Sequence, residues 1–229
     1  MKLKTNLHFH AHDDTEDTIP YTFQEGIVRA ETLGFQCMTL TCHNTFVNIP
    51  EYHEFARAHN ILFIPGIERS IEKKHVVILN PHEDVLRVRT FTDLASYRKE
   101  HTDIFVLAPH PYLPSKSSLH ESLIQHIDLF DGVEQSWFYS TLININIPAA
   151  RVARAHALPL IATSDTHDLR FLDTSYTIVD AKEKTIQSVF ESLHAGMFEN
   201  VATPRNFLSE MVPFILTHLY ANALHPRTH

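Results

Sequence analysis

Short apolar runs that close on a polar, metal-capable residue recur along this chain. They are Leu3 to His10 (LKTNLHFH), Phe35 to His43 (FQCMTLTCH), Ile61 to Glu68 (ILFIPGIE), Ile104 to His110 (IFVLAPH), Phe130 to Glu134 (FDGVE) and Leu158 to His167 (LPLIATSDTH). Each fits a short buried strand with a polar tip. Segments of helical period lie between them. Thr22-Phe-Gln-Glu25 is a capping-box pattern ahead of Phe23, Ile27, Ala30 and Leu33, and Gly34 fits the C-terminal stop. Ser118-Leu-His-Glu121 repeats the capping pattern before Leu123, Ile127 and Phe130. Further helices are predicted from Pro50 through Asn60, over Ala149 to Ala157, and over the stripe Ile186, Val189, Phe190 and Leu193, which closes at Gly196. Strands alternating with helices predict parallel α/β architecture, and strand tips converge when such a sheet closes into a barrel. The expected product is a single TIM-like barrel domain over residues 1–229, with 205–229 as a closing C-terminal helix carrying Leu208, Met211, Val212, Ile215 and Leu219.

Composition narrows the function classes. The chain has 229 residues, 44% of them hydrophobic, enough for one full core, and no low-complexity linker or repeat divides it. A formal charge of -8, with Lys and Arg nowhere in a block, argues against a general nucleic-acid binder and leaves a small anionic substrate open. Cys37 and Cys42 have no CxxC spacing, so no disulfide framework or zinc knuckle is expected and the compartment reads as reducing. The N-terminus lacks the apolar core of a signal peptide, and MVPFILTHLY is too short to span a bilayer. The expectation is a cytoplasmic protein with no membrane partner.

His8-Phe-His10 places two imidazoles on one side of a strand, and Asp165-Thr-His167 repeats the arrangement on the last barrel-like strand. With HFH, TCHN, PGIE, KHVVILN, APHP and TSDTH in this order over most of the chain, the sequence resembles the PHP (polymerase and histidinol phosphatase) metal-dependent phosphoesterases. That resemblance implies a distorted (β/α)7 barrel holding two to three divalent transition-metal ions, manganese, zinc or iron, at its C-terminal face. It implies that His8, His10, Glu68 and Asp165 hold one ion, with Glu68 bridging to a second held by His75 and His110. A third would sit between His43, His167 and an acidic residue of the first loop. A shared carboxylate suits two cations that act together on a phosphoryl group and lower the pKa of bound water, so Glu68 and His110 are also catalytic candidates.

Two departures from the family pattern matter. The segment Thr41-Cys42-His43-Asn44 has a cysteine where the family commonly has a carboxylate. The first loop offers Asp13, Asp14 and Asp17 where one ligand is usual: counting forward from His10 favours Asp14, and counting back from the Thr22 helix start favours Asp17. His12 is expected to face away. His75 begins its strand instead of ending it, which leaves a solvated strand-edge histidine as its other reading. Glu134 is expected to reach the pocket as a hydrogen-bond acceptor, not a ligand. Arg69 and Arg205 are candidates to clamp phosphate oxygens, or equally surface ion-pair partners. His53, His59, His101, His120, His126, His156 and His194 fall in helical segments and read as solvated.

The function these features predict is hydrolysis of a small-molecule phosphomonoester. The alternatives are a nuclease or proofreading-type phosphodiesterase, an amidohydrolase-like enzyme acting on amides or lactones, and a metal-binding scaffold without catalysis.

Overall fold

The computed structural model describes residues 1–212. Nine strands form one sheet: β1 (Lys2–Asn6), β2 (Cys37–Leu40), β3 (Leu62–Ile71), β4 (Lys74–Leu79), β5 (Phe105–Ala108), β6 (Gly132–Gln135), β7 (Leu160–Ala162), β8 (Ser175–Asp180) and β9 (Phe198–Ala202). Six helices accompany them: α1 (Phe23–Thr32), α2 (Pro50–Ala58), α3 (Phe91–Glu100), α4 (Glu121–Gln125), α5 (Asn146–Ala155) and α6 (Ile186–His194). The spatial order β7-β6-β5-β4-β3-β2-β1-β8-β9 curls into a nearly closed barrel.

All six apolar runs supply strands, but the sheet is not parallel throughout. Strand β4 is antiparallel to both neighbours, and β8 runs antiparallel to β1. A tight turn makes the first reversal. Glu72 and Lys73, with φ of 50° and 66°, make a two-residue turn of the primed type that joins β3 to β4 as a hairpin. A reversed β4 starts at the end of the barrel where its parallel neighbours finish, so His75 reaches the strand tips from the beginning of its strand.

Closure has two parts. Next to the strand tips, the backbone after β1 pairs directly with that after β7, through a Phe9–Thr166 bridge and a His10 N–H donated to Thr166 O at 3.1 Å. At the other end β8 and β9 fill the gap, and the Asn200 carboxamide joins β9 to β7. Its Oδ1 accepts from Ala162 N at 3.0 Å, and its Nδ2 donates to Leu160 O at 2.7 Å. A side chain here replaces a ladder that backbone pairing does not complete.

Helix α1 begins as expected, with Thr22 Oγ1 accepting from Glu25 N and the Glu25 carboxylate accepting from Thr22 N; Gly34, at φ 77°, ends it. Helix α3, not among the expected helices, starts from a second capping box, Thr90 with Asp93. The Ser118 box does not form. Helix α4 starts one residue after His120, which makes no side-chain cap, and Ser118 is buried behind the Lys74 ammonium, which donates to its carbonyl. Helix α5 opens at Asn146, three residues before the expected start. Asn206 caps a short π-helical turn, Phe207–Met211, and residues 213–229 of the expected closing helix lie outside the described part of the chain.

Packing on the strand exteriors fixes what faces inward. Phe9 is fully buried against α1, where a Cβ on Gly26 would stand 2.4 Å from its ring. This close approach requires glycine, and it locks Phe9 outward. The neighbouring His8 and His10 must therefore point into the barrel mouth.

Candidate metal centre

Strand tips bring five imidazoles and Asp165 around Glu68. The carboxylate is 1% exposed, and its two oxygens face different groups. Oε2 lies 3.2 Å from His8 Nε2, 3.3 Å from His10 Nε2 and 3.0 Å from His43 Nε2. Oε1 lies 2.7 Å from His75 Nδ1 and 3.1 Å from His110 Nε2. Asp165 Oδ1 completes the first side, 3.3 Å from His8 Nε2 and 3.4 Å from His10 Nε2. His167 lies beyond, its Nε2 3.1 Å from Asp17 Oδ2, with its ring stacked on His10 at 4.2 Å between centroids.

Several of these contacts are short yet lack hydrogen-bond geometry. His10 Nε2, His75 Nδ1, His110 Nδ1 and Asp165 Oδ1 are buried polar atoms without a hydrogen-bond partner. Orphaned donors and acceptors are costly in a protein interior, and three of these, His10 Nε2, His75 Nδ1 and Asp165 Oδ1, face one another around Glu68 and require a reason. Three overlapping donor sets converge here: His8, His10, Glu68 and Asp165; His43, Glu68 and His75; and His10, His43 and His167. Imidazole and carboxylate are the donors that zinc, manganese and iron take. The residues present fit divalent cations.

Behind the inward-facing atoms stands a second row of acceptors. His8 Nδ1 is 2.7 Å from Glu134 Oε2, and the other oxygen of Glu134 accepts the His110 backbone N–H at 3.2 Å. Asp14 Oδ2 accepts from His43 N at 2.8 Å and lies 2.8 Å from His10 Nδ1 and 2.9 Å from His43 Nδ1. A carboxylate on Nδ1 fixes the tautomer that leaves Nε2 free to ligate. Asp14 thus faces the outer nitrogens, away from Glu68, and Asp17 is the first-loop carboxylate nearest His167 and His43. Asp13 accepts instead from the Tyr52 hydroxyl at 2.8 Å, and His12 is exposed. At His43 a carboxylate is present despite Cys42, because Asp14 supplies it from the first loop while Cys42 Sγ points to Ala11 O.

The electrostatics match this crowding. Burial disfavours charge on His8, but Asp165, Glu68 and Glu134 outweigh it and hold the imidazole well above its ordinary value. His10 is raised to about 9, with burial and the His43 charge opposed by Asp14, Asp165 and Glu68. His43 and His110 are raised as well, the carboxylates again outweighing burial. Burial would raise Glu68, and the surrounding imidazoles drive it well below the carboxylate range. Asp165 is lowered in the same way. The backbone is also held away from its preferred regions: His110 (φ 27°), Asp165 (φ 43°) and Asn44 (φ 48°) are left-handed without being glycine. Such positions cost about 1 to 3 kcal/mol each and cluster at functional sites. Beneath Asp165, the Asn6 amide donates to Ser164 Oγ at 2.6 Å, and Ser164 hydrogen-bonds Thr166, a buried polar support that no motif marked.

The two arginines part company. Arg69 spends its guanidinium on Val88 O, Leu86 O and the Asn44 side chain, so it anchors a loop. Arg205 lies beside the loops that follow β6 and β7, over the Phe171 ring at 4.7 Å and Trp137 at 5.8 Å, with Nε 3.2 Å from Glu210.

The fold has known counterparts. Residues 146–198 match the PHP-associated family model. A two-domain protein from Bacteroides vulgatus, described as containing a predicted PHP-like metal-dependent phosphoesterase, superposes with a TM-score of 0.62 at 19% identity over 88% of this chain and 65% of that one. PsfC from Pseudomonas syringae matches with a TM-score of 0.67 at 12% identity, over 97% of this chain and 99% of its own. A lesion-specific endonuclease from Pyrococcus furiosus gives 0.64 at 16% identity, over 88% of this chain and 57% of its own. This chain therefore spans less than two thirds of the Bacteroides and Pyrococcus proteins. No curated protein sequence matches it.

Proposed function

We propose that this PHP-type protein is a metal-dependent phosphoesterase that hydrolyses a small-molecule phosphomonoester. The observation that carries the reading is the division of Glu68, one oxygen toward His8, His10 and His43 and the other toward His75 and His110. In the proposed assignment His8, His10, Glu68 and Asp165 hold one cation, and Glu68, His75 and His110 a second. His43, His167 and Asp17 serve a third. Asp14 and Glu134 orient the imidazoles and do not ligate. Cations bound there would polarise phosphoryl oxygens and supply a nucleophile from water near neutral pH.

The chain's own groups do the rest. Glu134 and Asp14 keep the outer nitrogens of His8, His10 and His43 paired, so the ligating atoms stay aimed inward without reorganisation. Arg205, held between aromatic faces and Glu210 beside the loops that follow β6 and β7, is assigned to steady an anionic group at the mouth. A net charge of -8 without a basic block disfavours a polyanion, which places the monoester ahead of nucleic acid.

A nuclease is the second reading, favoured by the fold shared with the Pyrococcus endonuclease. Side-by-side kinetics at matched metal loading separate the two. Faster turnover of p-nitrophenyl phosphate than of a single-stranded or abasic oligonucleotide is expected. Faster cleavage of the oligonucleotide would move the nuclease to first place, and hydrolysis of amides or lactones alone would remove the phosphoesterase.

A further inference from the structure

His82-Glu83-Asp84 and His101-Thr102-Asp103 each carry a carboxylate two residues after a histidine, and the fold brings the two tripeptides together with partners exchanged. His82 Nε2 lies 2.9 Å from Asp103 Oδ1, and His101 Nε2 lies 3.2 Å from Asp84 Oδ2. The two imidazoles stack, centroids 4.1 Å apart and planes within 20°. Asp84, Glu100 and His101 each present a donor atom within 4.8 Å of the others. None of this belongs to the centre around Glu68. His75 begins β4 and His110 follows β5, whereas this cluster follows the end of β4 and precedes the start of β5.

The cluster is rigidly mounted. The Tyr97 hydroxyl accepts from His82 N at 2.7 Å and donates to His82 O at 3.3 Å, while Asn80 Nδ2 donates to Asp103 O at 3.0 Å. His101, read from the sequence as solvated, is half-buried against Tyr97 and His82. Its charge is also unbalanced. Among the described residues no Lys or Arg forms an ion pair with Glu83, Asp84, Glu100 or Asp103. Three carboxylates, Asp84, Glu100 and Asp103, beside two stacked imidazoles make a mixed N/O donor set, which suits zinc, nickel or copper better than calcium or magnesium.

We propose that His101, Asp84 and Glu100, with His82 stacked alongside, bind one divalent transition-metal ion that staples the end of α3 to the turn after β4. Ligands drawn from segments about 17 residues apart in sequence (Asp84 to His101) would reinforce a junction of helix and loop already made by the His101–Asp84 contact, the imidazole stack and the Tyr97 hydroxyl. Binding should therefore stabilise this corner without altering the chemistry at the other end of the barrel.

The test is equilibrium dialysis of the whole protein against excess zinc at pH 7.5, with elemental analysis and thermal melting, for the native chain, His101→Ala and Glu100→Gln. Glu100 is exposed, so Glu100→Gln keeps the fold even if His101→Ala does not. The native protein should retain one more equivalent of zinc than His101→Ala. Glu100→Gln should bind that equivalent about tenfold more weakly or worse. Zinc should raise the melting temperature of the native chain more than that of either variant, with phosphoester hydrolysis unchanged. Equal zinc stoichiometry and equal melting shifts in all three proteins would overturn the site.

Discussion

Glu134→Gln isolates how the second row of carboxylates governs the centre. Glu134 is fully buried, with one oxygen 2.7 Å from His8 Nδ1 and the other on the His110 backbone N–H. Glutamine keeps the size and can keep one acceptor, but it removes the charge that makes His8 Nε2 a stronger base and fixes its tautomer. Loss of such an orienting partner costs about 10- to 100-fold in metal affinity or activity, or about 1.4 to 2.7 kcal/mol. Glu134→Ala should cost more, because it also strands two buried donors at about 1 to 3 kcal/mol each. The assay is zinc competition against a chelator at fixed pH, with circular dichroism to confirm folding and turnover measured on the same samples. Unchanged metal affinity in folded Glu134→Gln would refute the claim that this carboxylate sets the ligand geometry.

Two further outcomes are expected. Since His8, His10, His43 and His110 are raised, their stabilising charge is present below the ordinary imidazole value near 6.5 and is lost as pH rises through the shifted values, about 9 for His10; the lowered Glu68 and Asp165 act in the opposite sense, losing their contribution as pH falls below the carboxylate range. Metal-free protein should therefore lose melting temperature between about pH 7 and 9 while metal-loaded protein does not, with metal affinity still climbing over that range; a flat metal-free profile would contradict the charge network. Asn200→Ala should destabilise by about 1 to 3 kcal/mol in denaturant titration, because it strands Ala162 N at the barrel seam, and an unchanged midpoint would mean the seam closes without it.

Much of this was legible because strand tips carry the chemistry. A run such as IFVLAPH announces both a buried strand and the ligand that follows it, and HFH fixes two side chains on one face by alternation alone. His75 shows where that logic stops. Its place at a strand start counted against it until the turn at Glu72 and Lys73 reversed the strand, and sequence spacing does not reveal that direction. Asp14 shows a second limit. Counting from His10 places it near the ligands, yet which nitrogen of each imidazole it faces depends on how the first loop turns back, with Asp14 itself accepting the N–H groups of Glu16 and Asp17. The seam made by β8, β9 and Asn200 was harder to read, because β8 alternates buried and half-exposed residues and β9 is largely exposed, so neither is a buried run that ends on a ligand. Helix α3 did carry a signal, the Thr90 and Asp93 capping pair. His126, grouped with the solvated histidines, instead stacks on Phe91 at 4.0 Å, since a helix-end ring finds apolar cover when the neighbouring helix supplies it.

The central claim is that Glu68 is shared between two cations. Anomalous diffraction from crystals of manganese- or zinc-loaded protein tests it most directly. The account predicts two peaks about 3.5 to 4 Å apart, one on each Glu68 oxygen, the first also touching His8, His10 and Asp165 and the second His75 and His110. A single peak, or two peaks of which neither contacts Glu68, would contradict it.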